Sequence, residues 1–192
     1  MSERDLECVL RSNPVCAAIL DGAGSLGLPD WYLGAGALAQ TVWNAAHGLP
    51  PENGIADYDL VYFDSADLSA EAEQAAEAAA TAAFGQATSG QAEVRLDVTN
   101  EARVHLWYER KFGVRIDPYE SAQAAISTWP TTASSIGVTC RDGQFHEYAP
   151  FGTDDLWNLI VRPNKTLVTR AVYEAKAARW SAIWPRLTIV PW

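Results

Sequence analysis

The hydrophobic and polar positions from Trp31 to Asp64 predict a strand, a sharp turn, a helix and a second strand. The first strand is short and apolar, and Gly34 and Gly36 lie in the turn that follows it. Apolar residues then recur at helical spacing as far as Gly48, a typical helix stop: Leu38, Val42, Ala45 and Ala46. The second strand begins after a loop and is almost wholly apolar apart from two acids.

These two acids are Asp57 and Asp59, and the two-residue period of a strand places both on one face. Neighbouring carboxylates at the start of a buried strand are costly, because each raises the pKa of the other and burial penalises both charges. A divalent cation removes that cost. Magnesium binds one or two carboxylates together with substrate phosphate oxygens, and a glycine turn offers backbone amides to phosphate. The alternative is an edge strand with two solvated acids.

Other segments show equally regular patterns. Residues 3–11 predict a helix, residues 15–20 a helix or a strand, and residues 68–84 a helix with Ser69 as its N-cap. Residues 92–98 alternate as a strand, with Asp97 on the polar face. If this strand lies beside the strand of Asp57 and Asp59, Asp97 becomes a third carboxylate of the cluster.

The C-terminal half predicts further elements. Asp142 and Gly143 form a strong hairpin signal between strands at 134–141 and 144–148. Residues 169–184 form an amphipathic helix that should carry Lys176 and Arg179 on its outer face. We therefore predict one α+β domain over 1–192, a mixed β-sheet with helices packed on it. Its parts are an N-terminal helical segment (1–30), a core (31–161) and a C-terminal helix and tail (162–192).

Composition narrows the possible functions. The 192 residues are 48% hydrophobic, enough for a core. The net charge of -10 argues against bulk nucleic-acid binding, which needs a basic surface. The cysteines are odd in number and widely spaced, which favours neither a disulfide framework nor a zinc site: Cys8, Cys16 and Cys140. No apolar run is long enough for a membrane span, so we expect a cytoplasmic protein without a membrane partner.

A dinucleotide-binding (Rossmann-type) oxidoreductase is the main alternative. The pattern Gly34-x-Gly36-x-x-Ala39 follows a strand and opens a helix, and Asp64 ends the next strand, where a ribose-binding acid could lie. However, Asp64 lies 30 positions after Gly34, whereas the fingerprint expects about 20. This interpretation also leaves Asp57 and Asp59 without a role. The other glycine pattern, at residues 22–27, is followed by Pro29 instead of a helix and is interpreted as a turn.

The order of a glycine turn, an Asp-x-Asp strand and a later strand with a third Asp resembles the nucleotidyltransferase superfamily of DNA polymerase beta and the tRNA CCA-adding enzymes. The chain is especially similar to a family of small bacterial predicted nucleotidyltransferases. Four phrases carry this likeness: DVTN (97–100), ARVHLWY (102–108), TWPTTA (128–133) and YAPFG (148–152).

The resemblance implies an enzyme that moves a nucleoside monophosphate from a nucleoside triphosphate to a hydroxyl or phosphate acceptor and releases pyrophosphate. It implies Mg²⁺ or Mn²⁺ as cofactor, with Asp57, Asp59 and Asp97 as the metal-binding and catalytic acids. The glycine turn, Gly34 and Gly36, would receive the triphosphate. Arg103 could contact a phosphate oxygen, since guanidinium groups suit phosphate geometry.

The chain also departs from the pattern of the superfamily. The interval from Gly36 to Asp57 is long, and Ser127, Thr128 and Trp129 stand where CCA-adding enzymes carry base-selecting arginines and an aspartate. This argues against CCA addition and leaves the acceptor open among a small molecule, a protein and an RNA end. A non-catalytic nucleotide-binding member of the superfamily is a further alternative.

Overall fold

The computed structural model describes residues 4–88 and 94–192. In this part of the chain the helices are α1 (Leu6–Arg11), α2 (Pro14–Gly22), α3 (Ala35–His47), α4 (Ala70–Phe84), α5 (Tyr108–Phe112), α6 (Ala122–Ile126), α7 (Asp154–Trp157) and α8 (Arg170–Ile183). The strands are β1 (Tyr32–Gly34), β2 (Tyr58–Tyr62), β3 (Leu96–Asn100), β4 (Gly137–Arg141), β5 (Gln144–Tyr148), β6 (Ile160–Val161) and β7 (Thr188–Ile189). Short 3₁₀ helices span Ala23–Leu26 and Glu101–Leu106.

Five strands form a mixed sheet in the order β3-β2-β1-β4-β5. The pair β2 and β3 is parallel, whereas β1 pairs antiparallel with β2 and with β4, and β4 pairs antiparallel with β5. The predicted α+β fold with a mixed sheet is confirmed. The Rossmann-type alternative is wrong, because that fold needs parallel neighbours around its first strand and β1 has antiparallel ones on both sides.

The two faces of this sheet differ in what covers them. Alternate residues of β2 and β3 point into the main core, where α3 and the N-terminal helices pack: Tyr58, Leu60, Tyr62, Leu96 and Val98. A smaller apolar cluster covers part of the opposite face, with Tyr32 and Val61 against Ala122 and Ile126 of α6. The rest of this second face borders a cavity.

Helix α8 is fixed to α3 by aromatic packing. Trp43 makes edge-to-face contacts with Trp180 and Trp184, at ring-centroid distances of 5.0 and 5.5 Å. The Trp184 Nε1 group donates a buried hydrogen bond of 2.7 Å to Oδ1 of Asn44. The last long helix of the chain is thereby held beside the first long one.

Local sequence signals explain several element boundaries. Residues 15–20, left open between helix and strand, belong to α2, where Asn13 accepts hydrogen bonds from two backbone amides and Pro14 opens the helix. Ser69 caps α4, as predicted. Asp142 and Gly143 join β4 to β5 with φ angles of 52° and 73°, as a type I′ turn requires. The third predicted strand begins at Leu96, and its residues 92–93 lie outside the described part of the chain.

None of the helices in the described residues is both long and apolar enough to span a membrane.

The turn after β1 requires glycine for packing, which yields a stability prediction. A Cβ atom added at Gly34 would lie 2.5 Å from Cη2 of Trp129 and 3.0 Å from the carbonyl oxygen of Ile136. We expect Gly34→Ala to lower the free energy of unfolding by about 1–3 kcal/mol, the usual cost of overpacking. Chemical denaturation measures this change.

Gly24→Ala is the matched control, because a Cβ at Gly24 meets nothing within 4 Å. Equal stability of the two variants would show that the contact with Trp129 does not restrict residue 34.

Candidate functional site

A cavity of about 720 Å³ lies against the partly uncovered face of the sheet. Its walls come from the carboxyl-bearing segments of β2 and β3, the beginning of α3, the region of α5 and one side of α8. Residues that are far apart in sequence therefore meet around one volume, of the size range typical of small-molecule sites.

The three predicted acids line this cavity. In the sheet register, Asp59 pairs with Gly34 on one side and with Asp97 on the other. Asp57 lies two positions before Asp59 and shares its face. The structure thus brings Asp57, Asp59 and Asp97 to one wall, directly beside the glycine turn.

The electrostatics of this wall reflect the closeness of the acids. Burial is the main cause that raises the pKa of Asp59 to about 7, and the charges of Asp57 and Asp97 raise it further. Lys176 and Arg95 act in the opposite direction. The wall consequently carries negative charge that the surrounding protein only partly compensates.

The glycine turn presents the beginning of α3 to the same cavity. Ala35 and Gly36 line it, and Ala35 has a left-handed φ of 58°, a strained conformation for a residue with a side chain. The Ala35 amide donates to the Ile136 carbonyl at 3.1 Å. No described side chain caps α3, so the following amides of its first turn remain available to an anion. A Cβ atom at Gly34 would collide with Trp129, and Gly34 is not among the described lining residues. A triphosphate contact at Gly34 stays a prediction.

Helix α8 supplies cations that sequence reasoning placed on the outer face. Lys176 is half-buried and lines the cavity together with Arg179, so the outward assignment of Lys176 was wrong. Burial lowers the pKa of Lys176, while the charge of Asp59 raises it. Its Nζ atom lies 5.0 Å from the Trp180 ring centroid. The available signal was its position three residues after Tyr173 and four before Trp180, beside the buried stripe of the helix.

Arg103 is placed differently from the acids. Its guanidinium group forms an ion pair with Glu73 and donates a hydrogen bond to the carbonyl of Leu68. Glu73 lines the cavity, whereas Arg103 is not among its described lining residues. A phosphate contact by Arg103 stays a prediction.

A family model described as nucleotidyltransferase matches residues 21–189. The chain belongs to the nucleotidyltransferase family. Within this nucleotidyltransferase, the match includes the glycine turn, the three acids and α8. No curated protein matches the chain significantly.

A solved structure extends this result to the fold of the nucleotidyltransferase. An NMR structure described as revealing a CCA-adding enzyme head domain superposes with a TM-score of 0.77 at 23% identity. The superposition covers 100% of this chain and 97% of the other. At this level of identity the likeness shows the fold, and the predicted nucleotidyltransferase topology is confirmed.

The donor chemistry of the nucleotidyltransferase suits a hard divalent cation, since the cavity wall offers carboxylate oxygens that repel one another. In residues 4–88 and 94–192, no group of three or more His, Cys, Asp or Glu side chains is arranged so that it could hold a metal ion. Magnesium usually needs only one or two carboxylates when substrate phosphates complete its shell. The paired Asp59 and Asp97 meet that lower requirement.

Glu101 is a further carboxyl group of the cavity, and sequence reasoning missed it. It is 5% exposed, lines the cavity and has no hydrogen-bond partner among the described residues. Burial is the main cause that raises the pKa of Glu101 to about 8, and the charges of Asp59, Glu73 and Asp97 add to the effect. The sequence gives only a weak signal for Glu101. Asn100 caps the 3₁₀ helix and thereby fixes the start of that helix at Glu101.

An aromatic wall, which we define as Trp107, Tyr108 and Phe112, borders the same cavity. The Tyr108 and Phe112 ring centroids lie 4.6 Å apart, and Trp107 lies 6.1 Å from Tyr108. Phe112 is 44% exposed. The cavity thus has a charged region and an aromatic region.

The buried Glu101 predicts a pH-dependent stability. Its pKa is about 8 in the folded chain against an ordinary value of 4.5, so folding takes up a proton and stability falls as the pH rises between these values. Glu101→Gln cannot ionise and escapes that fall. We expect the variant to match the parent near about pH 4 and to exceed it by on the order of 3 kcal/mol near about pH 9.

Urea denaturation across this pH range measures the difference. Glu109→Gln is the control, because it makes the same substitution at an exposed position outside the described cavity lining. A constant difference between Glu101→Gln and the parent at every pH would contradict the assigned burial of the charge.

Proposed function

We propose that this nucleotidyltransferase moves a nucleoside monophosphate from a nucleoside triphosphate to an acceptor hydroxyl and releases pyrophosphate. The observation that carries the proposal is the sheet register that sets Asp59 between Gly34 and Asp97 on the cavity wall. In this proposal the glycine turn binds the phosphate groups, and the adjacent pair of acids binds a cation. A triphosphate with a bound divalent metal carries negative charge for the glycine turn and positive charge for the pair of acids.

Mg²⁺ or Mn²⁺ would be held by Asp59 and Asp97, with Asp57 beside them. When bound, the metal neutralises phosphate charge as the phosphorus–oxygen bond is exchanged. The residues of the chain bind and orient the triphosphate, and one of them removes a proton from the acceptor. The amides at Gly36 and the cations Lys176 and Arg179 would contact the triphosphate oxygens, which orients the α-phosphorus toward the acids.

The proposed reaction is a single displacement at the α-phosphorus. The acceptor oxygen forms a bond to the α-phosphorus, the bond from this phosphorus to the pyrophosphate oxygen breaks, and the acceptor proton passes to Asp97. Asp97 is suited to this role because it is the more exposed of the paired acids and can reach an incoming hydroxyl.

The first test replaces the central acid. We expect Asp59→Asn to reduce transfer from a labelled triphosphate on the order of a hundredfold or more, because the carboxylate pair loses its more buried member. Pyrophosphate release with a cell extract as the acceptor source measures the reaction, and circular dichroism checks the fold. Asp117→Asn is the control, since Asp117 is exposed and outside the described cavity lining. Undiminished transfer by Asp59→Asn would refute the role.

A non-catalytic nucleotide-binding member is the second candidate, favoured by the finding that no described group of three acids could hold an ion as it stands. It predicts saturable binding of MgATP without pyrophosphate release from any triphosphate, in the parent and in Asp59→Asn alike.

The second test concerns the cation from α8. Lys176→Gln should weaken MgATP binding by about tenfold, the value of one charge-assisted contact. Lys165→Gln is a closely matched control, because the Lys165 Nζ atom also lies 5.0 Å from a tryptophan ring, that of Trp192, but outside the described cavity lining. Isothermal titration measures both affinities. Equal losses in the two variants would remove Lys176 from the site.

A further inference from the structure

Glu101 and the aromatic wall form a part of the cavity that has no role in the proposed binding of the triphosphate. A buried carboxyl group without a hydrogen-bond partner is costly and is rarely found without a ligand or a function. Glu101 is such a group, and its carboxyl borders the cavity that the proposed reaction uses.

The surroundings of Glu101 form a distinct subsite. Glu101, Tyr108 and Tyr119 all line this part of the cavity. Burial is the main cause that raises the pKa of Tyr119 to about 12, and the charges of Glu101 and Tyr108 add to it. The Tyr119 hydroxyl and the Thr128 hydroxyl share a hydrogen bond of 2.8 Å at the cavity edge. One carboxyl, two hydroxyls and flat aromatic faces are therefore presented to the same volume.

The charge of the cavity selects among possible occupants. Its described lining residues include six carboxyl side chains and three cations: Asp57, Asp59, Glu73, Glu77, Asp97 and Glu101 against Lys111, Lys176 and Arg179. Lys176 and Arg179 lie on α8, beside the acids that the triphosphate would approach, and Glu101 forms no ion pair with a described residue. A polyanionic RNA end would meet repulsion here, whereas a cationic group would be attracted.

The aromatic wall already holds a cation. Nζ of Lys111 lies 5.2 Å from the Trp107 ring centroid and 5.3 Å from that of Phe112. Ring faces at this distance attract ammonium groups through their electron density, and they also pack against the apolar faces of ring-shaped ligands.

We propose that Glu101 and the aromatic wall bind the acceptor, and that this acceptor is a small hydroxyl-bearing molecule with a cationic amine. The inference rests on the proposed transfer reaction and names its acceptor class. The amine donates to the Glu101 carboxylate, the ring of the acceptor stacks on Trp107 or Tyr108, and a hydroxyl group is directed toward Asp97. A cation beside Glu101 also favours the ionised form of that carboxyl group.

Three sugars that share one ring and differ in charge test the proposal: glucosamine, glucose and glucuronic acid. Isothermal titration of the full chain without metal or nucleotide keeps the result independent of triphosphate binding and of catalysis. We expect glucosamine to bind about tenfold more tightly than glucose, and glucuronic acid to bind most weakly. Glu101→Gln should remove the advantage of glucosamine over glucose, while Glu109→Gln keeps it.

Trp107→Leu separates stacking from charge, because it should weaken glucosamine and glucose binding by the same factor and leave their ratio unchanged. Equal affinity for all three sugars, an unchanged ratio in Glu101→Gln, or tighter binding of a short RNA oligonucleotide than of glucosamine would overturn the proposal. Failure of the proposed transfer reaction would be seen in different measurements, namely as no MgATP binding or no pyrophosphate release, and is therefore distinguishable from failure of acceptor binding.

Discussion

The parallel pairing of β2 with β3 is the constraint on which the site depends. It sets Asp59 directly beside Asp97, with side chains on the same face and strands about 4.8 Å apart. A slip of one residue would turn Asp97 into the core and bring an apolar side chain to the cavity. The buried tyrosines and leucines on the opposite face resist such a slip, so the stability of the core fixes the position of the acids.

This arrangement accepts an electrostatic cost inside a negatively charged protein. The chain carries a net charge of -10, and several of its acidic side chains lie together around one cavity instead of being spread over the surface. Lys176 of α8 compensates part of this negative charge. Burial lowers the pKa of Lys176 and so disfavours its charged form. A cationic species bound among these acids would therefore lower the electrostatic free energy of the cavity.

Sequence periodicity was sufficient to assign the three acids to strand faces, because a two-residue period gives one face to Asp57 and Asp59 in an apolar strand and places Asp97 on the polar face of an alternating strand. It was insufficient for Lys176, whose direction depends on how α8 packs against α3. It also missed Glu101, because its burial depends on a loop: Asn100 bonds to the backbone of Asp64 and Asp67 and holds the turn in place. The Arg103–Glu73 pair is likewise a tertiary contact.

The anchoring of α8 has a consequence for biosynthesis. The bond between Trp184 and Asn44 spans 140 positions of the chain, so a ribosome completes the acids and the glycine turn long before the cations emerge. Contacts this distant in sequence form late and slow the search for the native state. A nascent chain thus has the acids of the cavity first, and the cavity wall is complete only when the final helix docks.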